Sequence, residues 1–203
     1  GLSWEKMDNA SLFSKYIYSI ASNPLNKNEL TVGTNGNIFR SVDAGKNWRR
    51  LSLGDFDNPI GNVNDIKYNN ENPKEIVVAT SETGIYISKD GGDEWFSVGE
   101  NINNKCITSL TYHPFEKNVM FCTTFGSGAY YSKDGGNSWK GINEGLGSLI
   151  TYEIVIDSKY PKEIYIGSDV GVYKRRTIDE NWKVFGKNLE GKAVEVLMKS
   201  KKE

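Results

Sequence analysis

The tryptophans fall at nearly even intervals, and this spacing constrains the fold more than any other feature of the chain. Among 203 residues there are five tryptophans, at positions 4, 48, 95, 139 and 182, which are separated by 44, 47, 44 and 43 residues. A fixed period of this length is typical of repeat architectures, in which each repeat is one supersecondary unit that packs on its neighbours. The sequence therefore predicts a repeat protein.

Three of the tryptophans close the same eight-residue string, S-x-D-x-G-x-x-W. The copies are SVDAGKNW (41–48), SKDGGDEW (88–95) and SKDGGNSW (132–139), whereas RRTIDENW (175–182) keeps the length and the tryptophan only. The Asp carboxylate is suited to accept hydrogen bonds from the amides that follow it, and the Gly permits a positive φ, so each string is predicted to be a tight turn. The structural residues of these turns are Ser41, Asp43, Gly45, Trp48, Ser88, Asp90, Gly92, Trp95, Ser132, Asp134, Gly136, Trp139 and Trp182.

Each repeat divides into four short segments of strand character. In the second repeat these are VNDIKYN (63–69), EIVVAT (75–80), GIYISKD (84–90) and WFSVG (95–99), all rich in β-branched or aromatic residues and bounded by turn formers. Four antiparallel strands in each repeat are typical of a β-propeller blade. We therefore predict an all-β fold, a β-propeller of four-stranded antiparallel blades, with repeats at about 14–52, 61–99, 105–143 and 149–186.

The eight-residue strings resemble the Asp-box, or BNR, repeat of sialidases, xyloglucan-active glycosidases, sortilin-type receptors and photosystem II assembly factors. The resemblance covers the whole chain, residues 1–203, and implies that the boxes are structural turns at the rim of the blades. It also implies an extracytoplasmic location, secreted or periplasmic. It leaves two classes of function open, namely a non-catalytic scaffold that binds a protein, a peptide or a carbohydrate, and part of a glycoside hydrolase.

The two ends of the chain read as parts of blades. Residues 1–8 begin with G-L-S-W, which matches the last four positions of a box, and residues 192–200 resemble an inner strand. Propellers commonly close by completing one blade with strands from both ends of the chain. We therefore expect the remainder of the ring to lie in an N-terminal part of the protein or in a second chain.

Composition argues against several other classes. Lys and Arg number 25 against 26 Asp and Glu, so no basic excess favours a nucleic-acid partner. No apolar run approaches the length of a membrane span. No cluster of Cys and His has metal-ligand spacing, so we predict neither a metal nor another cofactor.

Candidate catalytic residues are few. Glycosidases need two carboxylates ~5–10 Å apart, and Asp65 and Glu153 are the candidates, in inner strands two blades apart and expected to face each other across a channel. Stacking the repeats places Tyr18 and Ser109 at the corresponding positions. A sialidase site needs an arginine cluster, whereas the five arginines here all flank the strings, where solvated positions are expected.

Aromatic residues near the third strands offer a second type of site. Exposed side chains among them would form a platform for a sugar or a peptide, although core packing is the commoner use of an aromatic ring. The candidates are Phe39, Tyr86, Tyr130, Tyr131 and Tyr173. Without an arginine cluster or a catalytic motif, the sequence favours the binding scaffold, and the carboxylate pair keeps the hydrolase as the alternative.

Overall fold

Four antiparallel sheets of four strands each make up the computed structural model, which describes residues 12, 16–53, 60–157 and 163–198. In each sheet the strands are adjacent in chain order, so every sheet is a meander. The strands are β1 (Ile17–Asn23), β2 (Asn26–Thr34), β3 (Ile38–Ser41), β4 (Arg49–Leu51), β5 (Val63–Tyr68), β6 (Ile76–Thr80), β7 (Ile85–Ser88), β8 (Phe96–Val98), β9 (Ile107–Tyr112), β10 (Met120–Thr124), β11 (Gly128–Ser132), β12 (Lys140–Gly141), β13 (Thr151–Ile156), β14 (Ile164–Ser168), β15 (Gly171–Arg175) and β16 (Lys183–Phe185). The prediction of four-stranded antiparallel blades is confirmed.

The second strand of each blade is the most buried one. Every residue of β6 and of β10 is buried, because both faces of the blade are covered by neighbouring blades. A strand enclosed in this way has a continuous apolar run rather than alternating polar and apolar residues. The runs IVVAT and MFCTT have this character, and their terminal threonines bond the adjoining turn; for example, Thr80 Oγ1 donates to Gly84 O at 2.8 Å.

Adjacent blades pack face to face through shared apolar clusters. Ile38 and Leu51 of the first blade lie with Ile66 and Val78 of the second. The second and third blades share a cluster that includes Ile87, and a further cluster joins the third and fourth blades. The inner strands β1, β5, β9 and β13 contact one another in sequence. Each blade therefore supplies half of two cores, and no blade has a core of its own.

The same irregularity recurs in every inner strand. The pairing register shifts after the first residue of β1, β5, β9 and β13, so that two residues oppose one on the neighbouring strand. Such a β-bulge re-aims the side chains that follow it. The bulge therefore sets which residue of each inner strand points along the inner wall.

The two predicted end segments have different outcomes. Residues 1–8, with Trp4, lie outside the described residues. A short 3₁₀ helix follows β16 at Lys187–Leu189, and residues 193–198 form no strand, in contrast to the strand predicted over 192–200. A strand requires a partner for its backbone hydrogen bonds, and among the described residues only Val194 finds one in this segment, since its N–H donates to Ser168 O at 2.8 Å.

Candidate functional site

Three polar side chains from consecutive inner strands meet in one row. Asp65 of β5, Ser109 of β9 and Glu153 of β13 each occupy the position that follows the bulge. The corresponding residue of β1 is Ser19, which pairs with Gly33, and not Tyr18 as the stacked repeats predicted. The prediction was wrong by one residue because the bulge adds a position that the spacing of the sequence does not reveal.

Asp65 uses both carboxylate oxygens to join two blades. Its Oδ1 accepts hydrogen bonds from Ile66 N at 2.9 Å and from Lys67 Nζ at 2.8 Å. Its Oδ2 accepts from Leu110 N of the third blade at 2.8 Å. The carboxylate thus provides an acceptor for a backbone N–H of the neighbouring inner strand, which has no further strand on its inner side.

Glu153 is joined to the same row through Ser109. Ser109 Oγ donates to Glu153 Oε1 at 2.6 Å and lies 3.4 Å from Asp65 Oδ2, so these two carboxylate oxygens are at most about 6 Å apart. Burial raises the pKa of Glu153; the Ser109 hydrogen bond opposes this shift and the negative charge of Asp65 adds to it. The two carboxylates therefore lie side by side along the wall, bridged by a serine, rather than opposite each other across a channel as predicted.

An exposed aromatic surface lies at the same end of the inner strands. Phe125 follows β10, is 49% exposed and lies 6.2 Å from the ring of Tyr152, the residue before Glu153. Leu149 is also exposed, and its carbonyl accepts hydrogen bonds from Gly126 and Gly128 in the turn that carries Phe125. We refer to Phe125, Leu149 and Tyr152 as the apolar rim.

The aromatic residues singled out from the sequence pack into the cores. Phe39, Tyr130 and Tyr173 are buried, and Tyr86 and Tyr131 pack partly buried against apolar clusters. Their strands lie between blades, so the alternation of the pleat turns their rings towards neighbouring blades. The sequence gave no signal for Phe125, since it lies outside the strands in a turn whose position depends on the next blade.

The three complete boxes share one hydrogen-bonding scheme. In each, the Ser Oγ donates to the Asp Oδ1 at 2.7–2.8 Å and accepts from the Gly N–H at 2.7–2.8 Å. The Asp then accepts from the amide four residues ahead, as in Asn47 N to Asp43 Oδ1 at 2.8 Å. Side-chain and backbone hydrogen bonds from Asn47 lower the pKa of Asp43 to about 2. Trp95 and Trp139 donate their indole N–H to the carbonyls of Gly92 and Gly136.

The fourth box replaces this scheme with a buried arginine. Arg175 takes the position of the serine, lies 5.0 Å over the ring of Trp182 and donates to the carbonyls of Thr177 and Ile142. Arg40 is likewise engaged, with Glu29 Oε1 at 2.8 Å. The expectation that every arginine lies in solvent was therefore wrong for these two, because the guanidinium provides enough donors to be buried among carbonyls and carboxylates.

The described residues contain no cluster of three or more His, Cys, Asp or Glu side chains that would hold a metal ion. Within the same part of the chain, no helix is long and apolar enough to cross a membrane.

Comparison with solved structures decides the architecture. The chain superposes on an ancestral GH74 enzyme with a TM-score of 0.76, at 18% identity over 91% of this chain and 27% of that one. The chain is an Asp-box β-propeller. The extracellular domain of the hybrid two component system BT3049 from B. thetaiotaomicron gives a TM-score of 0.69, at 15% identity over 87% of this chain and 25% of that one.

Two further comparisons concern the repeat and the extent of the propeller. YCF48 bound to D1 peptide gives a TM-score of 0.63, at 14% identity over 84% of this chain and 54% of that one. The family model Sortilin-Vps10 (Sortilin, neurotensin receptor 3) matches residues 83–169, and no curated protein matches the sequence. The chain thus spans between a quarter and about half of the similar structures. At these identities the likeness concerns the fold alone.

Proposed function

We propose that this chain is part of a larger Asp-box propeller that acts as a non-catalytic scaffold, binding a protein, peptide or carbohydrate partner outside the cytoplasm. The ring would be completed by further blades from another part of the protein or from a second chain. Neighbours in fold include an extracellular domain and a protein bound to a peptide, which supports this proposal.

The observation that carries the proposal is the use of Asp65. All four hydrogen bonds and contacts of its carboxylate go to the protein itself, on its own strand and on the third blade. A general acid or base must have a proton position free for the substrate. Asp65 acts instead as a brace between blades, which is the role of a scaffold residue.

The apolar rim is the surface we assign to ligand contact. Exposed aromatic rings beside a row of polar groups suit both sugars, which stack on rings, and peptides, which combine apolar anchors with hydrogen bonds. Phe125 and Tyr152 provide the rings, and Glu153 and Ser109 follow them along the inner wall. The rim is therefore an anchor flanked by hydrogen-bonding groups.

Exchange of Phe125 for alanine tests this assignment. We expect Phe125→Ala to weaken binding of the captured ligand class at least ~10-fold, whether screening identifies a xyloglucan oligosaccharide or an extended peptide. Phe115→Ala is the matched control, because Phe115 is also exposed but lies in the turn between β9 and β10, at the opposite end of the strands. Equal binding by both variants would contradict a binding site at the rim.

A glycoside hydrolase is the second candidate, favoured by one specific feature. The Asp65 and Glu153 oxygens lie within about 6 Å, in the range that two-carboxylate mechanisms use. Burial also raises the pKa of Glu153, and a raised pKa suits a general acid. In that mechanism Glu153 would protonate the leaving oxygen and Asp65 would act from its ionised form.

Turnover separates the two candidates. Xyloglucan oligosaccharides incubated with the chain and with the completed ring should remain intact if the protein is a scaffold. Hydrolysis by the completed ring that disappears in both Glu153→Gln and Asp65→Asn, with folding unchanged by circular dichroism, would establish the hydrolase instead.

A further inference from the structure

The blade–blade interfaces of this chain follow one pairing rule at the start of the second strand. Between the first and second blades, buried Glu29 accepts a hydrogen bond from Tyr68 Oη at 3.3 Å. Between the second and third blades, Glu75 at the corresponding position accepts from Tyr112 Oη at 3.1 Å. In both cases the inner strand of the following blade provides the phenol.

The third interface replaces both partners together. Val119 stands at the position of Glu29 and Glu75, and Ile156 stands at the position of Tyr68 and Tyr112; both are in one apolar cluster. A carboxylate that enters an interface without a donor is strongly unfavourable, whereas two aliphatic side chains simply pack. The residue before the second strand thus indicates what the next blade brings to it.

The fourth blade carries the acidic form of this position. Glu163 Oε1 lies 2.6 Å from Lys174 Nζ, and Glu163 Oε2 accepts a hydrogen bond from Tyr165 Oη at 2.9 Å. Lys174 corresponds to Arg40, which pairs with Glu29 in the same way in the first blade. Both recorded partners of Glu163 belong to its own blade, and the described residues provide no donor from a following one.

The apolar part of the same face is open. Phe185 is 47% exposed, whereas Leu51 and Ile142, at the corresponding positions of the first and third blades, are 3% exposed. Its ring meets the ring of Tyr165 edge-on at 5.2 Å. The face therefore combines an acidic acceptor with an aromatic surface, at positions that are covered by the next blade elsewhere in the chain.

The segment after β16 already enters this interface. Val194 lies against Gly167, where an added Cβ would be 2.3 Å from Val194 O, just as an added Cβ on Gly33 would be 2.5 Å from Val63 Cγ1. Val63 begins the inner strand of the second blade. Val194 is thus placed where the inner strand of a fifth blade begins.

We infer that the open face of the fourth blade docks a fifth Asp-box blade, whose inner strand is formed by residues 194–199 of this chain. Counting from Val194 as from Val63, the residue that corresponds to Tyr68 is Lys199, a hydrogen-bond donor for Glu163 that lies outside the described residues. The first blade of a second copy fits less well, because its inner strand has Ser22 at that position. The inference rests on the proposal that the four blades belong to a larger ring.

Extension of the chain by its own strands tests the inference. In the extended chain, residues 201–203 are replaced by a copy of residues 70–103, which provides the turn and the three outer strands of the second blade. We expect amide hydrogen exchange of residues 195–199 to slow at least ~10-fold relative to the 203-residue chain. Phe185→Asp in the extended chain should abolish this protection. Val184→Asp is the matched control, since Val184 is 48% exposed and points to the opposite face of β16.

Unprotected amides at 195–199 in the extended chain would overturn the inference, as would equal protection in the Phe185→Asp and Val184→Asp variants. If the long extension aggregates, the copy of residues 70–80 alone provides the pairing strand, and the same exchange comparison decides. No ligand is present in this measurement, so failure of the rim to bind sugar or peptide leaves its outcome unchanged.

Discussion

Replacement of the buried box serine tests the hydrogen-bonding scheme of the Asp-box most directly. Ser132 is 1% exposed; its Oγ donates to Asp134 Oδ1 at 2.7 Å and accepts from Gly136 N at 2.8 Å. In Ser132→Ala the buried Gly136 N–H loses its acceptor and the Asp134 carboxylate loses a donor. An unsatisfied buried donor costs about 1–3 kcal/mol and a charge-assisted hydrogen bond about 1.5–3 kcal/mol, so we expect a loss of about 2–4 kcal/mol in the free energy of unfolding.

Urea unfolding followed by tryptophan fluorescence measures this loss. With a denaturant slope of about 2 kcal/mol/M, the midpoint should fall by about 1–2 M. Ser138→Ala is the matched control, because Ser138 is exposed and donates to the other oxygen of the same Asp134; it should change the free energy by at most about 1 kcal/mol. A loss in Ser132→Ala no larger than in Ser138→Ala would refute the argument that burial makes the box serine essential.

Three further predictions follow from burial and charge. Trp139→Ala should cost about 3–5 kcal/mol in urea unfolding, because the ring is 4% exposed and donates to Gly136 O; a loss below about 1 kcal/mol would contradict its place in the core. The lowered pKa of Asp43 means that its contribution to stability is complete above about pH 4 and is lost as the pH falls to about 2, so Asp43→Asn should flatten acid unfolding over that range. Because the pKa of Glu153 is raised, its ionised form weakens folding, and Glu153→Gln should raise the melting temperature at pH 7 but not at pH 3; a lower melting temperature at pH 7 would show that the Ser109 bridge outweighs burial.

Local turn chemistry was predictable because its partners are close in sequence. Ser88, Asp90 and Gly92 lie within a few residues of one another, and their hydrogen bonds need no information from other blades. The same holds for the strands, since a run such as IVVAT has its character whatever lies beside it. The period of the tryptophans then gives the number of strands in each unit.

The candidate site was only partly predictable. Asp65 and Glu153 stood out as carboxylates in inner strands, but the bulge determines which residues share their row, and a bulge depends on how the strand fits its neighbours. Phe125 was not predicted because its exposure results from the position of one turn over the following blade. Arg175 was misjudged because only packing reveals the carbonyls that accept its hydrogen bonds.

The sequence by itself determined the repeat, the antiparallel blade and the turn that closes three of the four blades, because these depend on contacts within about ten residues of the chain. Only the tertiary structure decided that Asp65, Ser109 and Glu153 form one row, and that the fourth blade presents Glu163 and Phe185 on an open face. These features depend on contacts between blades, more than 40 residues apart in sequence. Contacts of that range are set by the lateral packing of whole sheets, which no local pattern of residues specifies.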